Sequence, residues 1–168
     1  EAKLINFFRN PIDRAYSAHN HSSKFGWEHS SFESAIESEI ERINLMNDNP
    51  ELIINNVDSA NNLQFSYLRH GHYALNLENW FKYFKKNQFM HFSTEDLDQN
   101  YDEIMNSLFI FFNLSKINLK KEDRKNIGVG KGKYPSMNEK TRDFLIDYYK
   151  PHNEKLYNLI GKKFDWDK

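Results

Sequence analysis

The stretch "KLINFFRNPIDRAYSAHNH", residues 3–21, decides how this chain is read. Residues 3–8, "KLINFF", have the apolar and aromatic content of a short buried strand. Asn10 can cap a helix, and Pro11 suits its first position, where no N–H is needed. The spacing predicts a helix over 11–21. A strand that passes straight into a helix puts Arg9 at the strand's carboxyl end. In open α/β sheets, ligands bind beyond such ends, where helix N-termini offer free N–H groups and a positive dipole end. A guanidinium can make two parallel bonds to a phosphate. Ser17 lies two turns into the helix and His21 one turn further, on the same face. Arg9 and Ser17 could hold one phosphate from two sides. A plainer arrangement stays open on the residues alone: Arg9 paired with Asp13 or Glu28, and Ser17 facing solvent.

The rest of the chain alternates in the same way. "FESAIESEIERI" reads as a helix, with Ser30 and Glu33 as a capping box and a stripe of Phe32, Ile36, Ile40 and Ile43. Glu37 and Glu41, one turn apart, read as a solvated face. Residues 44–65 are rich in Asn and Asp and read as a long excursion. "YALNLENWFKYFKK" (73–86) is an amphipathic helix with Leu77, Trp80, Phe81 and Phe84 inward. "QFMHFS" (88–93) reads as a strand, and Ser93 with Asp96 as the cap of the next turn. Residues 101–113 form a helix burying Ile104, Met105, Leu108, Phe111 and Phe112. Two helices are expected at the end, "MNEKTRDFLIDYY" and "PHNEKLYNLIG", the second closed by Gly161. Strands alternating with helices predict an α/β fold with a mainly parallel sheet.

The chain has 168 residues, enough for one domain with a core. Its net charge of -1 gives no global field for nucleic acid or an anionic membrane, so any anion site is local. It contains no cysteine, which excludes disulfides, thiolate catalysis and cysteine-ligated zinc. The apolar run "LFIFF" (108–112) is far too short to span a bilayer. No signal peptide is visible, and the localisation expected from this is cytoplasmic.

Two further constellations carry chemistry. "GVGKGKYP" (128–135) sets Lys131 and Lys133 around Gly132, a loop whose amides and charges suit an anion. It is not a Walker A loop, because Lys131 is followed by Gly132 rather than Ser or Thr. An exposed loop without a ligand is the alternative. Among seven histidines, His19/His21 and His70/His72 are spaced by two. On a helix, His19 and His21 point to nearly opposite sides, so they cannot chelate one metal together, and no metal site is expected. Either one could serve as a general acid or base.

Several of these stretches together resemble one family. "LINFFRNPIDRAYS" is similar to the 3′-phosphate-binding strand and helix of sulfotransferases that use 3′-phosphoadenosine 5′-phosphosulfate (PAPS). "FESAIESE", "GHYALNLENWFKYFKKNQFMHFSTEDL" and "GKGKYPSMNEKTRDFLIDYYKPHNEKLYNLIG" follow in that family's order. The "KGKYP … DYY … HN … L" ending resembles the heparan sulfate N-sulfotransferase-like branch. The resemblance implies a P-loop NTPase-like three-layer sandwich around a parallel sheet. It implies that Arg9 and Ser17 hold the 3′-phosphate, that Lys131, Gly132 and Lys133 contact the nucleotide, and that His21 sits near the transferring sulfonate. His72 and Tyr73 would line the acceptor cleft, and the acceptor would be a hydroxyl or amine, expected on a carbohydrate.

The chain lacks the family's "PK-x-G-T" loop, which grips the 5′-phosphosulfate and supplies a catalytic Lys. Residues 1–168 therefore read as the C-terminal portion of one sulfotransferase domain, N-terminally incomplete. Such a chain is expected to bind the product, adenosine 3′,5′-bisphosphate (PAP), weakly and to turn over little, whereas a longer parent would be active. The competing readings are a non-catalytic module of the same fold that binds a nucleotide or glycan, and a kinase-like P-loop enzyme. The missing Walker A pattern counts against the kinase.

Overall fold

The computed structural model describes residues 2–48, 65–117 and 135–166. Two strands, β1 (Leu4–Phe8) and β2 (Phe89–Ser93), pair in parallel. The register runs from Leu4 opposite Phe89 to Phe8 opposite Ser93, so both strands end at the same level. Parallel neighbours need a long crossover, and its described residues here contain three helices. These are α1 (Pro11–Lys24), α2 (Phe32–Asp48) and α3 (Tyr73–Trp80), the last preceded by a tight turn, Arg69–Gly71. After β2 come α4 (Thr94–Gln99), α5 (Tyr101–Phe112) and α6 (Glu139–Ile160).

Local signals account for the starts of α1, α2 and α4. The Asn10 side chain accepts from the Ile12 N–H at 3.0 Å, with Pro11 in the first turn. Ser93 Oγ accepts from the Asp96 N–H at 2.9 Å, as expected. Helix α1 runs on to Lys24, past the predicted end at 21, and stops where Gly26 turns with φ +70°. The α2 cap is Ser31, not Ser30. Ser34 N–H donates to Ser31 Oγ at 3.2 Å, while the Ser30 N–H is already held by Glu28 Oε1 at 2.8 Å.

Three further expectations need correction. Helix α3 stops at Trp80, and Trp80 is exposed rather than inward. In α5 the buried residues are Ile104 and Phe109, with Met105, Leu108, Phe111 and Phe112 only partly covered. The last two predicted helices are one, α6, which continues through Pro151 to the Gly161 cap. Pro151 and Asp147, one turn back, are both exposed, so the proline sits on the solvent face of the helix. Tyr149, Asn153 and Leu156, on either side of the proline, are buried and hold the helix in line. The excursion expected over 44–65 yields its start to α2, and residues 49–64 lie outside the described part.

Two cores result. One packs α1, α2 and α6 around Tyr67 and Leu68, using Ile12, Ala15, Phe32, Ile36, Leu145 and Tyr149. The other packs the sheet, α3 and the end of α6 under the C-terminal Phe164 and Trp166. Each fully buried apolar side chain stabilises the fold by about 1.5–3 kcal/mol. Gly71 sits where these parts converge. A Cβ there would lie 2.8 Å from the Tyr149 ring and 2.9 Å from Pro11 Cβ. Among the described residues, no helix is long and apolar enough to cross a membrane.

Candidate active site

The equal ends of β1 and β2 bring Arg9, Asn10, Thr94 and Glu95 to one edge of the sheet. Arg9 follows Phe8 directly and is exposed. Its carbonyl accepts from Tyr73 Oη at 2.9 Å, and the next N–H, that of Asn10, donates to Glu95 Oε1 at 3.1 Å. Asn10 Nδ2 also reaches the Trp166 carbonyl at 3.3 Å. The start of α1 is thereby fixed from three directions.

The Arg9 guanidinium has no hydrogen-bond or ion-pair partner among the described residues. The two carboxylates that could have neutralised it are engaged elsewhere. Asp13 pairs with Arg142 on α6. Glu28 accepts from Tyr67 Oη at 3.1 Å and from the N–H groups of His29 and Ser30. Those bonds hold its carboxyl below the usual range against the opposing pull of burial. Arg14, on the next turn of α1, is different: it donates to the Tyr67 carbonyl and is used structurally.

Ser17 is half-buried on α1. Its neighbour Tyr16 donates from Oη to the Pro135 carbonyl at 2.8 Å, tying the segment before α6 to α1. Lys131, Gly132 and Lys133 lie outside the described residues. His21, one turn past Ser17, is exposed, its ring 4.8 Å from Phe25 and 6.2 Å from Trp27. His19 faces the other way, as the helical period requires. It is buried between Phe32 and Tyr67, with Nε2–H donating to the Ser30 carbonyl at 3.0 Å.

His72 and Tyr73 stand at the start of α3. His72 is only 6% exposed. Its ring stacks on His152 at 3.7 Å, and its Nε2 shares a 3.0 Å hydrogen bond with Tyr148 Oη. Burial, with His152, Arg69 and Arg14 as positive neighbours, pushes the His72 imidazole down to about 3. Burial likewise pushes the Tyr148 phenol up to about 12. Tyr73 packs on Phe8 at 5.0 Å and gives its hydroxyl to Arg9. The polar contacts of both residues are internal to the fold.

Sequence reasoning did not single out Glu95, whose one signal was the acidic residue of the quoted "TEDL" following a strand. Among the described residues, no group of three or more His, Asp or Glu side chains is placed to hold a metal ion. A surface groove of about 960 Å³ runs along α6, lined by Asp147, Lys150, Glu154, Tyr157 and Lys162, and touches none of these site residues.

The sulfotransferase domain family profile matches residues 1–159, and the chain belongs to that family. Its fold is that of a solved sulfotransferase from Alicyclobacillus acidocaldarius, with a TM-score of 0.71 at 20% identity over 99% of this chain and 58% of that one. Among curated relatives, the bifunctional heparan sulfate N-deacetylase/N-sulfotransferase of Drosophila melanogaster is 27% identical over 96% of this chain. Carbohydrate sulfotransferase 15 of Rattus norvegicus is 27% identical over 99%. The membrane-associated sulfotransferase kil1 of Dictyostelium discoideum is 28% identical over 61%. The chain spans 16%, 31% and 21% of the lengths of these three relatives, respectively.

Proposed function

We propose that this chain is part of an enzyme that moves a sulfonate group from PAPS to a hydroxyl or amine of a carbohydrate, leaving PAP. The observation that carries the reading is Arg9. An exposed guanidinium without a described partner stands at a strand end, one residue before a capped helix, while both nearby carboxylates are engaged elsewhere. That is the environment an arginine needs to bind a phosphate rather than to close a salt bridge. Ser17 would donate to the same 3′-phosphate from α1. Lys131 and Lys133 would close over the nucleotide. Supporting this, Pro135, two positions beyond Lys133, is tied to Tyr16, the neighbour of Ser17.

PAPS supplies the activated sulfonate, whose S–O bond to the 5′-phosphate breaks as the acceptor oxygen or nitrogen bonds to sulfur. The residues here would hold the nucleotide and orient it, which is where most of the rate advantage of such a transfer arises. His21 is exposed and would take the acceptor's proton. The names of the relatives support a sugar acceptor. His72, buried, and Tyr73, half-buried, would stand behind the acceptor side as its support.

The test is sulfonate transfer from labelled PAPS to a panel of glycans. Transfer is expected of the longer protein that carries this chain, with Arg9→Ala and Ser17→Ala raising KM for PAPS and His21→Ala lowering kcat. If PAP binds but no acceptor is sulfated, the non-catalytic module is the better reading.

A further inference from the structure

The peptide bond between Arg9 and Asn10 joins β1 to α1, and side chains from two other elements take both of its polar atoms. Its carbonyl oxygen accepts from Tyr73 Oη at 2.9 Å, across 64 positions of sequence. Its N–H donates to Glu95 Oε1 at 3.1 Å, across 85 positions. A planar peptide held by a hydrogen bond at each end resists rotation about the bonds that flank it. The direction in which the Arg9 side chain leaves the backbone is therefore fixed.

Neither contact is needed to start α1, because Asn10 Oδ1 already caps it. Both donors and acceptors are themselves held. The Tyr73 ring packs on Phe8 at 5.0 Å and on Trp166 at 6.0 Å. Glu95 Oε1 also accepts from Thr94 Oγ1 at 3.3 Å, and its Oε2 is buried. Glu95 sits next to Arg9 in space yet bonds the peptide N–H, and no ion pair joins it to the guanidinium. An acid placed this way steadies the arginine's backbone without using up its charge.

We propose that Tyr73 and Glu95 are positioning residues for Arg9, clamping the Arg9–Asn10 peptide so that the guanidinium is preorganised for a phosphate. The proposal rests on the reading of Arg9 as the 3′-phosphate ligand. Preorganisation acts by removing the ordering cost of binding, so it affects only ligands that Arg9 touches.

The experiment compares PAP with adenosine 5′-monophosphate (AMP), which lacks the 3′-phosphate, by calorimetric titration of the protein. Tyr73→Phe and Glu95→Ala are each expected to weaken PAP about 3- to 10-fold, the loss of a partly oriented charge-assisted contact, with AMP changed less than about twofold. Glu95→Gln keeps an oxygen that can accept from the Asn10 N–H and is expected to restore most of the PAP affinity. In an Arg9→Ala background, Tyr73→Phe is expected to add nothing, because the residue it orients is gone. Equal losses for PAP and AMP, or full additivity with Arg9→Ala, would overturn the clamp and leave an ordinary structural role. The underlying reading fails differently. If the unmodified protein shows no preference for PAP over AMP, or if Arg9→Ala leaves that preference intact, Arg9 is not the phosphate ligand and the clamp falls with it.

Discussion

Replacing Gly71 with alanine tests the packing that brings the site together. The added methyl would sit 2.8 Å from Tyr149 Cε1 and from Tyr149 Oη, and 2.9 Å from Pro11 Cβ. Carbon contacts of that length are inside van der Waals range, and neither neighbour can yield alone. Tyr149 is fully buried and donates to the Leu68 carbonyl at 2.9 Å, while Pro11 begins α1. Overpacking of this kind costs about 1–3 kcal/mol, and displacing the tyrosine hydroxyl adds about 0.5–1.5 kcal/mol. The expected loss is about 2–4 kcal/mol, or a fall in Tm of about 4–16 °C for a chain of this size. Urea unfolding followed by tryptophan fluorescence reads it, since Trp166 is buried. Gly26→Ala is the control. It has φ +70° but nothing within 4 Å, so only the backbone term of about 1 kcal/mol applies. Tyr149→Phe in the Gly71→Ala background should recover little, because the Cε1 and Pro11 contacts remain. A Gly71→Ala loss below about 0.5 kcal/mol, no larger than typical surface substitutions, would refute the reasoning.

His72 makes stability depend on pH. Its folded-state value is far below its ordinary one, so the unfolded chain binds the proton first, and the stability it contributes is present above about pH 6.5 and lost as pH falls. Between pH 7 and pH 5, its share of the loss is about 2 kcal/mol, and a His72→Gln variant should lose that much less over the same range by chemical denaturation. The α2 cap is tested by a pair of substitutions. Ser31→Ala should cost about 1 kcal/mol in urea unfolding and Ser30→Ala much less, the reverse of what a cap at Ser30 would give.

What the sequence made legible was local. The Asn10–Pro11 boundary, the Ser93 cap, the Gly161 stop and the second strand all follow from signals within a few residues of the element they define. The family likeness was legible for the same reason, since it lies in short runs kept in order. What was missed depended on distant partners. Ser30 read as the α2 cap, but the folded chain ties its N–H to Glu28 and uses Ser31 Oγ at the helix start. Pro151 looked like a break until the buried Tyr149, Asn153 and Leu156 held the helix straight through it. Arg9 could have closed an ordinary salt bridge. Only the folded chain shows that Asp13 goes to Arg142 and Glu28 to Tyr67. The grip on the Arg9–Asn10 peptide draws on Tyr73 and Glu95, and no local pattern encodes it.

The most direct test is a pair of calorimetric titrations, PAP and AMP, on the protein and on Arg9→Ala. If Arg9 holds a 3′-phosphate, the protein prefers PAP, and Arg9→Ala loses about 10- to 100-fold in PAP affinity, the scale of a charge-assisted phosphate contact, with AMP unchanged. Equal affinity for the two nucleotides, or an Arg9→Ala variant that keeps the preference for PAP, would contradict it.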